Sequence, residues 1–309
     1  MRGGRPAQLV LGSVQLGLAY GAANRTGKPS HPAALRLLQR AADAGVTSFD
    51  TARTYGDAEE RLGDALKGRK VRTTTKLAPL SDLAPNSSRD TVRAEVDKSI
   101  ADSQRALKRD VLDCVLLHRA AHRTAFDGAI WRRLKEHLVQ GTIASLGVSV
   151  QNPDEARESL GDFSVRHLQL PFNVLDWRWG SAGVIAEIAK RKDVTVHARS
   201  VFLQGVLAAN DASVWPRIAG VDAPAIVAWL NGQPRAFGCD SVADLCLRYV
   251  RGQDWIDGVV IGMETEDQLD ANLALIARAP LSLQDCGLIE ERRPHVPVAL
   301  LDPSQWPRR

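Results

Sequence analysis

A single-domain α/β fold, a (β/α)8 barrel of the TIM type, is predicted by three features of the sequence. Short apolar runs alternate with helical patterns along almost the whole chain. No linker or change of composition divides the 309 residues, a length ordinary for one barrel with insertions. The turn after the first apolar run reads LGSVQLGLAYG, not the GxGxxG phosphate turn that an open doubly wound sheet usually carries there.

Taken in order, residues 9–14 read as the first strand, and a helical pattern over 32–44 ends at Gly45, a residue suited to a helix C-terminus. A second strand (47–51) leads to the helical GDAEERLGDAL (56–66), and a third (71–77) to a long helix at about 88–107. A fourth (111–118) precedes a helix over 127–140. The second half repeats the pattern. A fifth strand (144–150) is followed by Asn152 as N-cap and Pro153 at the first helical position. A sixth strand (168–172) precedes a helix near 184–192, and a seventh spans 194–202. An insertion at about 203–240 and a helix at about 241–250 separate it from an eighth (259–263), which is followed by a helix over 266–276. The Pro- and Arg-rich stretch at about 287–309 reads as a tail that wraps or frays.

Bulk properties exclude several classes. The charge of +4 is too small and dispersed for a nucleic-acid partner. No apolar run approaches the roughly 18 residues of a membrane span, and the N-terminal segment lacks the pattern of a secretory leader. The four cysteines, Cys114, Cys239, Cys246 and Cys286, form neither a CxxC nor a zinc spacing and read as reduced thiols. A cytoplasmic protein, monomeric or weakly homo-oligomeric, is expected.

In barrels, reactive side chains sit at the C-terminal strand ends. Asp50, Lys76 and His118 fall at the ends of the second, third and fourth strands, with Tyr55 in the loop just after Asp50. Each alone has a bland explanation: a loop-capping acid, a snorkelling lysine, a satisfied polar histidine. Together they make chemical sense. A free phenol, pKa about 10, is a weak acid at neutral pH, and a nearby ammonium favours the phenolate. Asp50 can keep Lys76 charged, and His118 can orient a substrate oxygen, so the group can move a proton to or from that oxygen.

These residues lie in DTARTYGDAEERLG, TTTKL and LLHRA, which resemble the three core motifs of the aldo-keto reductase superfamily; Asp50, Tyr55, Lys76 and His118 match its catalytic tetrad. GVSVQN resembles the fifth-strand motif, in which Ser149 and a neighbouring amide side chain contact the nicotinamide carboxamide. LQLPFN resembles the sixth-strand motif, placing Gln169 on the same carboxamide. VVIGMETEDQLDANL resembles the eighth-strand segment around the adenosine, with Gly262, Glu264, Gln268 and Asn272 on the cofactor. The resemblance implies NAD(P)H-dependent reduction of an aldehyde or ketone, with hydride passing from nicotinamide to carbonyl carbon, Tyr55 as proton donor, and His118 with the Tyr55 hydroxyl holding the oxygen. It also implies an extended dinucleotide bound without a Rossmann fold.

The chain departs from the family pattern in two places. Arg199 occupies the position where an aromatic residue commonly stacks on the nicotinamide; a one-residue shift would bring Phe202 or His197 there instead. A stacked guanidinium can replace a ring, and its charge would favour the reduced cofactor over the oxidised one. Ser200 and Leu203 to Gly205 would then line the pyrophosphate. The eighth-strand loop carries Glu264, Glu266 and Asp267 and no base, which slightly favours NADH over NADPH; Glu266 and Asp267 also suit a helix N-terminus. Tyr20, Trp177 and Trp179 are candidate walls of a small-molecule substrate pocket, Trp177 and Trp179 being equally suited to covering the barrel rim. Arg53 and Arg119 border the tetrad, and the first loop resembles a bacterial branch associated with sugar-derived carbonyls. Two rival classes are a cofactor-binding regulatory or partner subunit with little turnover, and a metal-assisted hydrolase or isomerase. Only Asp50 and His118 could serve as ligands in the latter, and Lys76 would oppose a cation.

Overall fold

The structure, a computed structural model, describes residues 6–22, 24 and 26–307. Eight parallel strands pair in chain order: β1 (Gln8–Gly12), β2 (Ser48–Asp50), β3 (Arg72–Lys76), β4 (Cys114–Leu117), β5 (Leu146–Ser149), β6 (His167–Pro171), β7 (Thr195–Arg199) and β8 (Gly258–Gly262). β8 returns to β1 and closes the barrel. Helices follow the strands and cover the outside. Side chains alternate along each strand, so one set, including Leu9, Leu11, Phe49, Val115, Leu117, Val148, Leu168 and Val196, packs in the hydrophobic core with the helices.

The other set gives this barrel an unusual lumen. Barrel interiors are mostly filled by branched aliphatic residues. Here the imidazoles of His167 and His197 meet edge to face, centroids 4.2 Å apart, and Cys114 Sγ lies 3.5 Å from His167 Nδ1. Two glycines on neighbouring strands make the room. A Cβ on Gly258 would sit 2.7 Å from His197 Cδ2, and one on Gly147 would sit 2.7 Å from His167 Cβ. Burial pushes the Cys114 thiol up to about 12, which makes it unreactive.

Several local expectations hold in atomic detail. Gly45 closes helix His31–Asp43 with φ +88°. Asn152 Oδ1 accepts from Glu155 N at 2.9 Å and opens helix Pro153–Leu160, with Pro153 first. Strand lengths are where the reading overshot: β7 stops at Arg199, because Ser200, Leu203, Gln204 and Gly205 adopt positive φ and turn the chain. The insertion holds helix Ala223–Gly232 between short 3-10 turns.

Of the two expectations for the tail, wrapping or fraying, the described residues show wrapping. Helices Leu283–Arg292 and Val298–Leu301 and the turn Pro303–Gln305 are folded onto the barrel, with Val296, Leu300 and Leu301 buried. The apolar side chains spaced through the Pro-rich stretch are what anchor it. Among the described residues no helix is long and apolar enough to cross a membrane.

Candidate active site

The ladder register brings Asp50, Lys76, Ser149 and Arg199 to the C-terminal ends of their strands, with Gln169 in the middle of β6 level with Ser149. Asp50 is the hub. Its Oδ1 accepts from Lys76 Nζ at 2.7 Å and its Oδ2 from Gln169 Nε2 at 2.7 Å, all three side chains buried. Lys76 also donates to Thr51 O at 2.9 Å. Burial works against the ammonium, but Asp50 and then Tyr55 outweigh it, so the Lys76 pKa lies above the ordinary lysine value. Lys76 Nζ stands 5.1 Å from the Tyr55 ring centroid, and that ring meets the His118 imidazole edge to face at 5.9 Å. Burial, then Lys76, Arg199, Arg119 and His122, lower the His118 pKa to about 3. His118 is therefore neutral at physiological pH, with Nδ1 lying 3.4 Å from Thr54 Oγ1.

Backbone contact holds the Tyr55 turn. Gly56 adopts φ +57°, and a Cβ on Gly17 would fall 1.8 Å from Tyr55 O. The short helix Val14–Gly17 can pack on the turn only because both residues lack side chains. Behind the turn, the buried Glu59 accepts from Thr75 Oγ1 at 2.5 Å and Ser103 Oγ at 2.9 Å and pairs with Arg53. Arg53 is thus turned away to an internal carboxylate, while Arg119 stays exposed beside His118. Sequence reasoning missed Glu59, although a signal existed. It shares a helix face with Ala58, Leu62 and Leu66, which are buried, so a charge there demanded partners.

The nicotinamide-end residues are less free than expected. Ser149 is buried at the end of β5. Gln169 commits one amide N–H to Asp50, which leaves its second N–H and its oxygen to serve a carboxamide. The amide beside Ser149 that the motif resemblance pointed to divides in two: Asn152 caps a helix, and Gln151 Oε1 accepts from Arg199 Nη2 at 2.6 Å. Arg199 is half-buried at the end of β7 and also donates to Val150 O at 3.3 Å and Ser200 Oγ at 3.5 Å. Of the alternatives for its position, His197 lies in the lumen and Phe202 is half-buried beyond the turn. The Leu203 side chain is fully buried, and its N–H donates to Ser200 O at 2.9 Å. The Gly205 N–H is likewise engaged, by Phe202 O at 2.9 Å.

At the far end, a cavity of about 340 Å³ is lined by Thr26, Gly27, Leu37, Glu264, Thr265 and Asp267, among others. Gln268 folds back so that its Oε1 accepts from Glu264 N at 2.8 Å, and Asn272 is half-buried one turn on. Glu266, also on the cavity, bonds Arg40 at 3.0 Å and lies 3.6 Å from Arg36, while Asp270 pairs with Arg40 at 2.7 Å. Bases do stand near the acidic loop, then, but on helix His31–Asp43 and already paired. Gly262 admits the Gln15 side chain, whose Oε1 would lie 2.0 Å from a Cβ at 262; that buried oxygen has no hydrogen-bond partner among the described residues. Gln15 was not anticipated.

On the substrate side, Tyr20 is 42% exposed and its hydroxyl accepts from Gln204 Nε2 at 3.5 Å. Trp177 is half-buried, its ring tilted by 33° against His295, and donates to Val296 O at 2.9 Å. Trp179 is fully buried, with Nε1 donating to Asp176 Oδ2 at 3.2 Å, the arrangement of a residue that covers the rim. No cluster of three or more metal-ligating side chains occurs among the described residues.

A closed eight-stranded barrel carrying an Asp–Lys pair under a Tyr and a neutral His at its C-terminal rim defines the class. The chain belongs to the Aldo/keto reductase family, whose model matches residues 8–293. It is similar to aldo-keto reductase str7 of Strobilurus tenacellus (29% identical over 177 residues, 56% of this chain and 51% of that one). A second relative is the 6-dehydroglucose reductase of Novosphingobium aromaticivorans (32% over 135 residues, 40% and 43%). The chain thus spans about half the length of the curated relatives it matches. Among solved structures, the holo form of aldo-keto reductase AKR11C1 from Bacillus halodurans superposes with TM-score 0.72 at 21% identity, covering 94% of this chain and 93% of that one. The glycerol dehydrogenase AKR11B4 from Gluconobacter oxydans does so with TM-score 0.72 at 21% identity, covering 97% and 95%. At these identities the two structures speak for the fold.

Proposed function

We propose that the protein reduces an aldehyde or ketone, with a sugar-derived carbonyl as the favoured class, using NAD(P)H as reductant and Tyr55 as proton donor. The observation that carries this reading is the placement of Lys76 Nζ, bonded to Asp50 at 2.7 Å and 5.1 Å from the Tyr55 ring. The rim fits a dinucleotide. The unpaired Gln15 amide oxygen, the unsubstituted Gly262 and the cavity beside Thr265 mark its adenosine half, and Ser149, Gln169 and Arg199 mark its nicotinamide half.

A bound reduced nicotinamide supplies the hydride for the carbonyl carbon. The protein supplies the rest. Tyr55 O–H gives its proton to the carbonyl oxygen as negative charge grows there, and the Lys76 ammonium stabilises the phenolate that remains. The neutral His118 donates a hydrogen bond to the same oxygen and fixes its direction. The acids on the far cavity and the prior pairing of Arg40 support NADH over NADPH, since a ribose hydroxyl can donate to a carboxylate that would repel a phosphate. The names of two similar proteins, a 6-dehydroglucose reductase and a glycerol dehydrogenase, support a hydroxylated substrate.

Titration of NADH and NADPH by tryptophan quenching, followed by turnover on aldehydes, ketones and keto-sugars, tests the reading. Tyr55→Phe should lower reduction by about 10²–10⁴-fold with cofactor binding intact. Near-normal turnover in that variant would remove the proton-donor role.

A further inference from the structure

Asp302 belongs to the folded C-terminal segment, far in sequence from the barrel rim, yet it is bonded into the site. It is 8% exposed. Its Oδ1 accepts from Ser304 N at 3.1 Å, Ser304 Oγ at 2.6 Å and Gln151 Nε2 at 3.0 Å, and its Oδ2 accepts from Gln305 Nε2 at 2.8 Å. Burial alone would favour the neutral acid, but these hydrogen bonds and the nearby Arg178 outweigh it and keep the carboxyl ionised.

Gln151 is the link. Its Nε2 donates to Asp302 while its Oε1 accepts from Arg199 Nη2 at 2.6 Å. Its backbone is held on both sides: its N–H donates to Glu155 Oε2 at 2.6 Å, and its carbonyl accepts from Arg178 Nη1 at 3.2 Å. Arg178 is itself fixed by Asp176 at 2.7 Å. The amide dipole therefore points from acid to base with little freedom to turn. Apart from Gln151, Arg199 donates only to neutral acceptors, Val150 O and Ser200 Oγ, and no ion pair to Arg199 occurs among the described residues. A half-buried guanidinium without a paired counter-charge is costly; Asp50 and Asp302 both act on Arg199 through space, and Asp302 is the acid joined to it by hydrogen bonds, one amide away.

We propose that Asp302 is a positioning residue: through Gln151 it fixes the Arg199 guanidinium at the end of β7 and sets how strongly that charge discriminates between oxidised and reduced nicotinamide. This rests on the reading of Arg199 as the group at the nicotinamide. The oxidised ring carries a positive charge and the reduced ring does not. Arg199 repels only the oxidised form, and the Asp302 carboxylate offsets part of that repulsion. The C-terminal segment thus biases which form of the cofactor the site retains.

The test uses the full chain, with dissociation constants of NAD+ and NADH measured by tryptophan quenching and thermal midpoints as a check on folding. Asp302→Asn keeps the shape and an acceptor for Gln151 but removes the charge. It should raise the ratio Kd(NAD+)/Kd(NADH) by about threefold or more, mostly through NAD+, as expected for one partly screened charge. Gln151→Leu, which severs the link without touching the tail, should raise it as well. Asp302→Asn combined with Gln151→Glu moves the carboxylate next to Arg199 and should bring the ratio back to or below that of the parent. A purely structural role for Asp302 predicts equal weakening of both forms, and an unchanged ratio in both single variants overturns the relay. Arg199→Gln separates the two levels. If it lowers the ratio while the relay variants leave it unmoved, only the relay fails; if it leaves the ratio unmoved, the reading of Arg199 fails and the relay with it.

Discussion

Lys76 stays charged inside the barrel because three acceptors surround it: the Asp50 carboxylate, the Thr51 carbonyl and the face of Tyr55. Removing the charge while keeping the bulk, as in Lys76→Met, should reduce kcat/KM by about 10²–10⁴-fold and leave Asp50 buried with only Gln169 as a side-chain partner. A lower thermal midpoint measured alongside the kinetics is the expected companion, since a broken buried pair leaves an uncompensated charge. His118 makes a different prediction. With its pKa lowered to about 3, it does not change protonation between pH 5 and 8. The kcat/KM profile there should carry no histidine limb from this residue, whereas His118→Asn should cost about 10²–10³-fold at every pH through loss of an oxygen-binding donor. A limb near pH 6.5 that vanishes in the variant would contradict this.

At the scale of elements, the rim is assembled by close backbone contacts and by helix ends. Gly17→Ala should force apart the helix Val14–Gly17 and the Tyr55 turn, because its Cβ would land 1.8 Å from Tyr55 O. A loss of about 1–3 kcal/mol in urea unfolding is expected, as for other overpacked contacts, with Tyr55 displaced and turnover reduced. Glu266→Gln should free Arg40 and Arg36 from one of their acids and shift cofactor preference toward NADPH, read as the ratio of the two dissociation constants. These elements also show what was legible beforehand. The alternation of strands and helices, Gly45, Asn152 and the four tetrad positions follow from local rules, since periodicity, caps and strand ends are written within a few residues of where they act. The partners of Gln169 and Arg199 were not legible. Each is decided by a residue brought alongside through barrel closure: Asp50 and Gln151. A tryptophan such as Trp179 reads the same whether it faces a pocket or Asp176 in the core.

For the molecule as a whole, the histidine-filled lumen ties stability to pH. Burial, together with His197, Arg72 and Lys76, holds His167 well below the usual histidine value, and burial lowers His197 to about 4 against the opposing pull of Asp50. Both imidazoles therefore bind protons less readily folded than unfolded, where the pKa is about 6.5. Above that pH neither state is protonated at these sites and they add no pH dependence. Between about pH 6.5 and 4 the unfolded chain takes up protons that the native barrel refuses, so stability should fall as pH falls. The thermal midpoint should drop across this window, and His197→Gln should flatten the slope; an equal slope in the variant would assign it elsewhere. The folded C-terminal segment has a consequence of another kind, in the order of synthesis. Every strand from β1 to β8 is made before Asp302, so a growing chain can close its sheet while Arg199 still lacks its remote counter-charge. The barrel is finished first and its electrostatic setting last. A full chain in which that last setting fails would then be a closed barrel with an altered grip on oxidised cofactor, a defect that a fold assay would pass and a binding assay would catch.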